Sequence, residues 1–161
     1  MSLEEFLLIV HILGAFLMVA AAGITTAAAV MSGRSNDLKQ IIAWLDLQRA
    51  SELFVTTPGA VIAIVFGSWL VGESAAGYEF SEAWLSAAYV LWLVAMGLDH
   101  GWFLPFNRRV RAKAAAQVAA GSTDAGEVKA MLASPVAMVI GIGLDLSFVV
   151  FLFLMVVRPG A

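Results

Sequence analysis

Apolar positions in this chain fall into four long runs, about residues 6–31, 53–72, 83–105 and 135–157, with short polar stretches between them. About 20 residues rising 1.5 Å each cross a hydrocarbon core of about 30 Å, so the pattern predicts four transmembrane helices. Nearly all of the 161 residues are used by the spans and their connections, and residues 1–161 are read as one transmembrane domain. The predicted fold is all-α: an integral-membrane up-down four-helix bundle. Between spans one and two, Asp37 to Glu52 sets Ile41, Ile42 and Leu45 among charges at helical spacing, which predicts a short interfacial helix leading into the second span. Between spans three and four, Asn107 to Ala120 reads as a basic, alanine-rich helical extension, followed by a turn at Gly121 to Asp124 and a fresh helix start. Pro105 and Pro135 are placed at span ends, where a missing N–H is tolerated.

Charge orients the spans. Arg34, Lys39 and Arg49 lie in the first loop and Arg108, Arg109, Arg111, Lys113 and Lys129 in the third, whereas the second loop holds only acids, Glu73, Glu79 and Glu82. Basic segments resist translocation, so both basic loops are predicted on the cytoplasmic side of the cell membrane and both termini outside. These bases flank membrane ends, where anionic head groups account for them; the lipid bilayer is the expected partner, and nucleic acid is not. A mean hydropathy of +0.92 fits a membrane solvent. Acids at Glu4 and Glu5, ahead of an apolar run of about 26 residues, do not suit a secretory signal, so this run is expected to remain as the first span. The absence of cysteine excludes disulfides, thiolate metal sites and covalent c-type haem attachment.

Small residues suggest how the helices meet. Gly59, Ala63 and Gly67 recur every four residues in span two, as do Gly97 and Gly101 in span three. Lipid supplies no hydrophobic drive for pairing, so such stripes serve close backbone packing, within one chain, in a homo-oligomer or against another membrane protein. In span one His11, Gly14, Ala15, Met18, Ala22 and Thr25 share a face read as buried, and Leu13, Phe16, Leu17 and Ile24 a face read as lipid-facing. Trp69, Trp84 and Trp102 lie near span ends as interface anchors, leaving Trp92 near mid-membrane.

Four ionisable residues inside spans require a reason: His11, Asp99, His100 and Asp145. A carboxylate at the bilayer centre costs roughly 2.5 to 3.5 kcal/mol on insertion scales, so it is expected to face protein, water or a ligand. Asp145, with no basic residue in its span, is either a proton- or cation-binding carboxyl or a protonated acid bonded to a neighbouring helix. Asp99 lies at nearly the same depth, so the two could share a proton if their faces turn inward; the plainer reading pairs Asp99 with Arg108, Arg109 or Arg49. His11 is open to haem or metal ligation, proton relay or a hydrogen bond to a carbonyl. His100, one residue from Asp99, is explained by interfacial solvation. Counting 1.5 Å per residue from the outer ends, the two histidines are separated by roughly 17 Å along the membrane normal, which excludes one haem shared between them. A haem would need His11 with Met18 or Met155, or five-coordination.

The ordered segments FLLIVHILGA, TTPGAVIAIVFGSWL, WFLPFNRRVR and FLFLMVVRPGA resemble a bacterial family of predicted integral membrane proteins, domain of unknown function 2269, over nearly the whole chain. Span one departs from that family's aromatic-then-glycine pattern at Leu17, Met18, Val19 and Ala20. More distantly, the four-span plan with His11 in a leading helix is similar to copper-resistance CopD membrane proteins and HemJ-type protoporphyrinogen oxidases, some of which bind b-type haem. That likeness implies His11 as a haem b ligand and a redox role. No phosphate-cradling loop, HExxH or GxSxG motif occurs, and nothing in the sequence decides whether the protein is an enzyme. Three functions stand: a haem-binding or redox-linked bundle, a proton- or cation-coupled transporter or channel subunit using Asp145 and Asp99, and a membrane assembly or scaffold subunit.

Overall fold

The computed structural model describes residues 1–73 and 77–160; Ser74 to Ala76 and Ala161 lie outside the described residues. These residues form helices only: α1 (Leu3–Arg34), α2 (Leu38–Ser51), α3 (Thr57–Glu73), α4 (Ala83–Leu98), α5 (Leu104–Ala119), α6 (Gly126–Leu132) and α7 (Pro135–Val157), with π turns at Glu52–Thr56 and Asp99–Phe103. Four rods are long and apolar enough to cross a membrane: Leu3–Arg34, Leu38–Glu73, Ala83–Ala119 and Pro135–Val157. The second and third, of 36 and 37 residues, run about 54 Å at 1.5 Å per residue, well beyond a hydrocarbon core of about 30 Å. The segment expected to lead into span two is therefore joined to it as one continuous rod, and the basic extension continues span three in the same way.

Local signals set the ends. Ser2 and Glu5 form a reciprocal capping box at the start of α1, with Glu5 N donating to Ser2 Oγ (3.1 Å) and Ser2 N to Glu5 Oε2 (2.7 Å). Asp37 caps α2, Ser134 caps α7 ahead of Pro135, and α7 stops at Arg158, whose φ of 49° is left-handed. Pro135 thus stands at a helix start as expected. Pro105 does not end its helix: it sits inside the continuous rod, and the chain absorbs it with the π turn just before it.

Two helix pairs make up the spanning part, α1 with α3 and α4 with α7. The α1–α3 seam is the tighter. A Cβ placed on Gly14 would fall 2.7 Å from Ala63 N and 2.9 Å from Gly59 O, and one on Gly59 would fall 2.9 Å from Gly14 O. Only glycine allows this approach, which gives packing energy in a solvent that supplies no hydrophobic drive. Leu17, read as lipid-facing, is half-buried because its Cβ lies against Gly59; Leu13, Phe16 and Ile24 are exposed. Gly97 and Gly101 are exposed as well, and a Cβ on either would meet nothing within 4 Å, so neither belongs to a helix seam among the described residues.

A second core stands at the basic end. Leu38, Ile41, Leu45, Val110, Ala114, Ala125 and Val128 bury one another between α2, α5 and α6. Asp46 clamps Arg111 in two-pronged fashion (Nη2 to Oδ2, 2.9 Å), and Lys113 meets Glu127 at 2.7 Å. At the acidic end Trp84 is buried rather than anchored in lipid, packed with Val71, Leu85 and Leu154. The Arg158 guanidinium covers it and Tyr78 at 5.9 and 4.8 Å from the ring centres.

Candidate functional site

A cavity of about 350 Å³ lies inside the bundle where the spans meet the basic-end core. Three carboxyls line it, Glu52, Asp99 and Asp145, and no lysine, arginine or histidine does. Thr25, Gln48, Thr56 and Asn107 add polar groups, and Trp92, Phe103, Phe106, Phe148 and Phe151 form much of the apolar wall.

Two of the three acids are set by the same backbone device. Glu52 and Asp99 each open a π turn and each stand six residues before a proline, Pro58 and Pro105. A proline inside a helix has no N–H to give and crowds the carbonyl four residues back, and it disfavours α geometry in the residue before it. In both rods the residue before the proline donates five residues back to the acid, Thr57 N to Glu52 O and Leu104 N to Asp99 O. The widened turn absorbs the proline, as π turns do, often at functional sites. Both side chains end up buried, Glu52 at 5% and Asp99 at 6% exposure.

Hydrogen bonds link the two turns. Thr57 Oγ1 donates to Glu52 O (2.8 Å), so its lone pair must receive His100 Nε2–H (3.1 Å). That assigns the Nε2 proton of His100 and turns Nδ1 to Asp99 Oδ2, 3.0 Å away but off the line of a hydrogen bond. Thr25 Oγ1 donates to Glu52 Oε1 at 3.0 Å. Several buried polar atoms have no partner among the described residues, including Gln48 Nε2, Glu52 Oε2, Thr56 Oγ1 and Asn107 Nδ2, and all four residues line the cavity. Buried polar groups are nearly always paired, and here they converge on one cavity.

Asp145 is at the rim. Its side chain is exposed at the opening between α1 and α7 and accepts a hydrogen bond from Thr26 Oγ1 (2.8 Å), while helix α7 otherwise touches α1 little. Asp99 and Asp145 line one cavity, and no hydrogen bond joins them among the described residues. Asp99 does not pair with Arg49, Arg108 or Arg109, which are exposed; its ionic neighbour is His100. His100 in turn is half-buried and bonded to Thr57, not solvated at an interface.

His11 lies elsewhere, in the α1–α3 seam. Its Nδ1 is 2.8 Å from Ala63 O, and a Cβ on Gly67 would fall 2.6 Å from that same nitrogen. The ring fills the space between two touching helices and does not line the cavity. Met155 packs in the acidic-end cluster, while Met18 lines the cavity. His11 is half-buried in this seam, with Nδ1 engaged by Ala63 O. Trp92 donates from Nε1 to Ala60 O (3.3 Å) beside the cavity.

Sequence reasoning missed Glu52, Gln48, Thr56 and Asn107 as cavity residues. The signal available was an acid six positions before a proline, present in both central rods.

Four spanning helices around a polar-lined cavity define a multi-pass helical membrane protein. The chain belongs to the family described as predicted integral membrane protein (DUF2269), whose model matches residues 5–159. No curated protein and no solved structure matches it.

Proposed function

We propose that this protein is a small cation- or proton-coupled carrier or channel subunit whose binding site is the carboxyl-lined cavity. One observation carries the reading: Glu52, Asp99 and Asp145 face a common space with no basic side chain among its lining residues. Carboxyls in a membrane interior are costly without a counter-charge, and here the missing positive charge is a bound proton or cation. His100 Nδ1, 3.0 Å from Asp99 Oδ2, stands beside the acids as a further proton-binding group. The haem-linked reading has no comparable support, since His11 stands apart from the cavity and its Nδ1 is engaged by Ala63 O.

The test is proton flux in liposomes under a potassium diffusion potential, read by an enclosed pH dye. Wild-type protein is expected to exceed protein-free vesicles, with Glu52→Gln and Asp99→Asn lowering the excess at least tenfold. Wild-type flux equal to that of empty vesicles, with sodium and potassium flux equally silent, rejects the proposal.

A further inference from the structure

Resting on the reading of the cavity as a cation site, we infer that its cargo is an organic amine with an apolar body, entering sideways from the bilayer between α1 and α7. A space of about 350 Å³ is within the range of small-molecule pockets, about 300–1,000 Å³, and far exceeds the needs of a bare ion. Metal ions require several ligands within about 2.0–2.6 Å. No group of three or more histidine, cysteine, aspartate or glutamate side chains that could hold one is gathered among the described residues. The acids stand on three different rods.

Polarity is distributed as an amphipathic amine needs. At the deep end Gln48, Glu52 and Asn107 are 2%, 5% and 7% exposed, and each has an unpartnered polar atom. An ammonium group brings three donors; the Glu52 carboxyl accepts them directly, whereas Gln48 Nε2 and Asn107 Nδ2 are themselves donors, and these amides accept from it only with oxygen and nitrogen interchanged. Toward the spans the walls are Trp92, Phe148 and Phe151, which suit an apolar body and can attract a cation through their faces.

The way in is lateral. On α1, Thr26, Ala29 and Val30, and on α7, Met138, Ile142 and Asp145, are exposed residues that also line the cavity. Among the described residues one hydrogen bond crosses from α1 to α7, that of Thr26 to Asp145. Its carboxylate can bind an arriving ammonium while Thr26 lets go, so the mouth carries a negative charge on a releasable latch. Amphipathic amines lie in the bilayer with their charge near the head groups, so the ammonium moves inward along the α1–α7 opening, past Val30 and Met138, to reach Asp145 midway along α7.

Equilibrium binding to the full chain in neutral phosphatidylcholine nanodiscs tests this, with empty nanodiscs as baseline and naphthylmethylamine against its neutral counterpart naphthylmethanol as probes. The amine is expected to bind saturably and at least tenfold more tightly than the alcohol, and Glu52→Gln to lose that preference. Gly141→Phe extends a ring toward Phe103, where a Cβ would stand 3.8 Å from that ring, and keeps every carboxyl. It is expected to weaken amine binding at least tenfold. Asp145→Asn, on the exposed rim, is expected to slow amine association at least threefold; an unchanged rate overturns the lateral route. Circular dichroism verifies folding of each variant, and the rim variant serves if Glu52→Gln does not fold. Equal binding of amine and alcohol overturns the cargo. Absent amine binding with retained proton flux removes the cargo and leaves the carrier, whereas loss of both in the wild type removes both.

Discussion

Helix α1 presents one face to α3 and another to α7, and the two are built from similar small residues with opposite results. Toward α3, Gly14 meets Gly59 and Ala63 so closely that no Cβ fits. Toward α7, Ala22, Thr26 and Ala29 line an open cavity with Asp145 at its rim. Small residues therefore permit approach without dictating it. The α1–α3 seam closes because backbone meets backbone and His11 caps it with a bond to Ala63 O. The α1–α7 side stays open because carboxyls occupy it, and pressing these against another apolar helix costs more than the contact returns.

The largest expected break of this contrast is Gly14→Leu. Overpacking a rigid seam costs about 3 kcal/mol, and unfolding in mild detergent should register it, while Gly143→Leu, where a Cβ meets nothing within 4 Å, should stay within about 0.5 kcal/mol of wild type. Equal effects of the two would erase the distinction between the faces.

Next comes Pro58→Ala, which restores an N–H and lets the π turn revert to an ordinary helical turn. Glu52 then changes direction, and cation binding should fall about tenfold, or roughly 1.4 kcal/mol, with the α1–α3 seam intact. A crystal or cryo-electron structure retaining the widened turn would show that something other than the proline sets it.

Thr26→Val removes the single hydrogen bond across the mouth. A loss of about 1 kcal/mol is expected, together with faster amine exchange; slower exchange would mean that the latch is a fixed strut.

The smallest effect belongs to the clamp at the basic end. Hydrogen bonding to Arg111 holds the Asp46 carboxyl below its ordinary range; burial opposes this, and the charges of Arg111 and Arg49 add to the lowering. A carboxylate whose folded pKa is depressed contributes stability that is full above its unfolded pKa and lost as pH falls through the folded one. Both partners are well exposed, so the contribution is about 0.5 kcal/mol or less. Asp46→Asn should be slightly destabilised at pH 7, and the difference from wild type should vanish on acidification below the usual aspartate range.

Much of the architecture was legible in the residues. Four apolar runs and the Pro135 start follow from local chemistry, as does the expectation that Gly59, Ala63 and Gly67 lie on a packing face. The site was legible only in part: Asp99 and Asp145 stand out as acids among apolar neighbours, but Glu52 sits at the end of a charged segment and looks like one more surface acid. Its burial depends on how the rod continues past it and on which helices stand opposite.

Sequence alone determines that this chain spans a membrane four times, because every backbone group in lipid must be bonded within a helix and hydropathy records which segments can do so. Tertiary structure alone decides that Glu52 and Asp99 meet around one cavity, that His11 is half-buried in a seam and that Gly97 and Gly101 face outward. Those outcomes depend on helix rotation and on two π turns that shift the phase of each rod. Rotation is fixed by contacts between segments far apart in the chain, which no local pattern encodes.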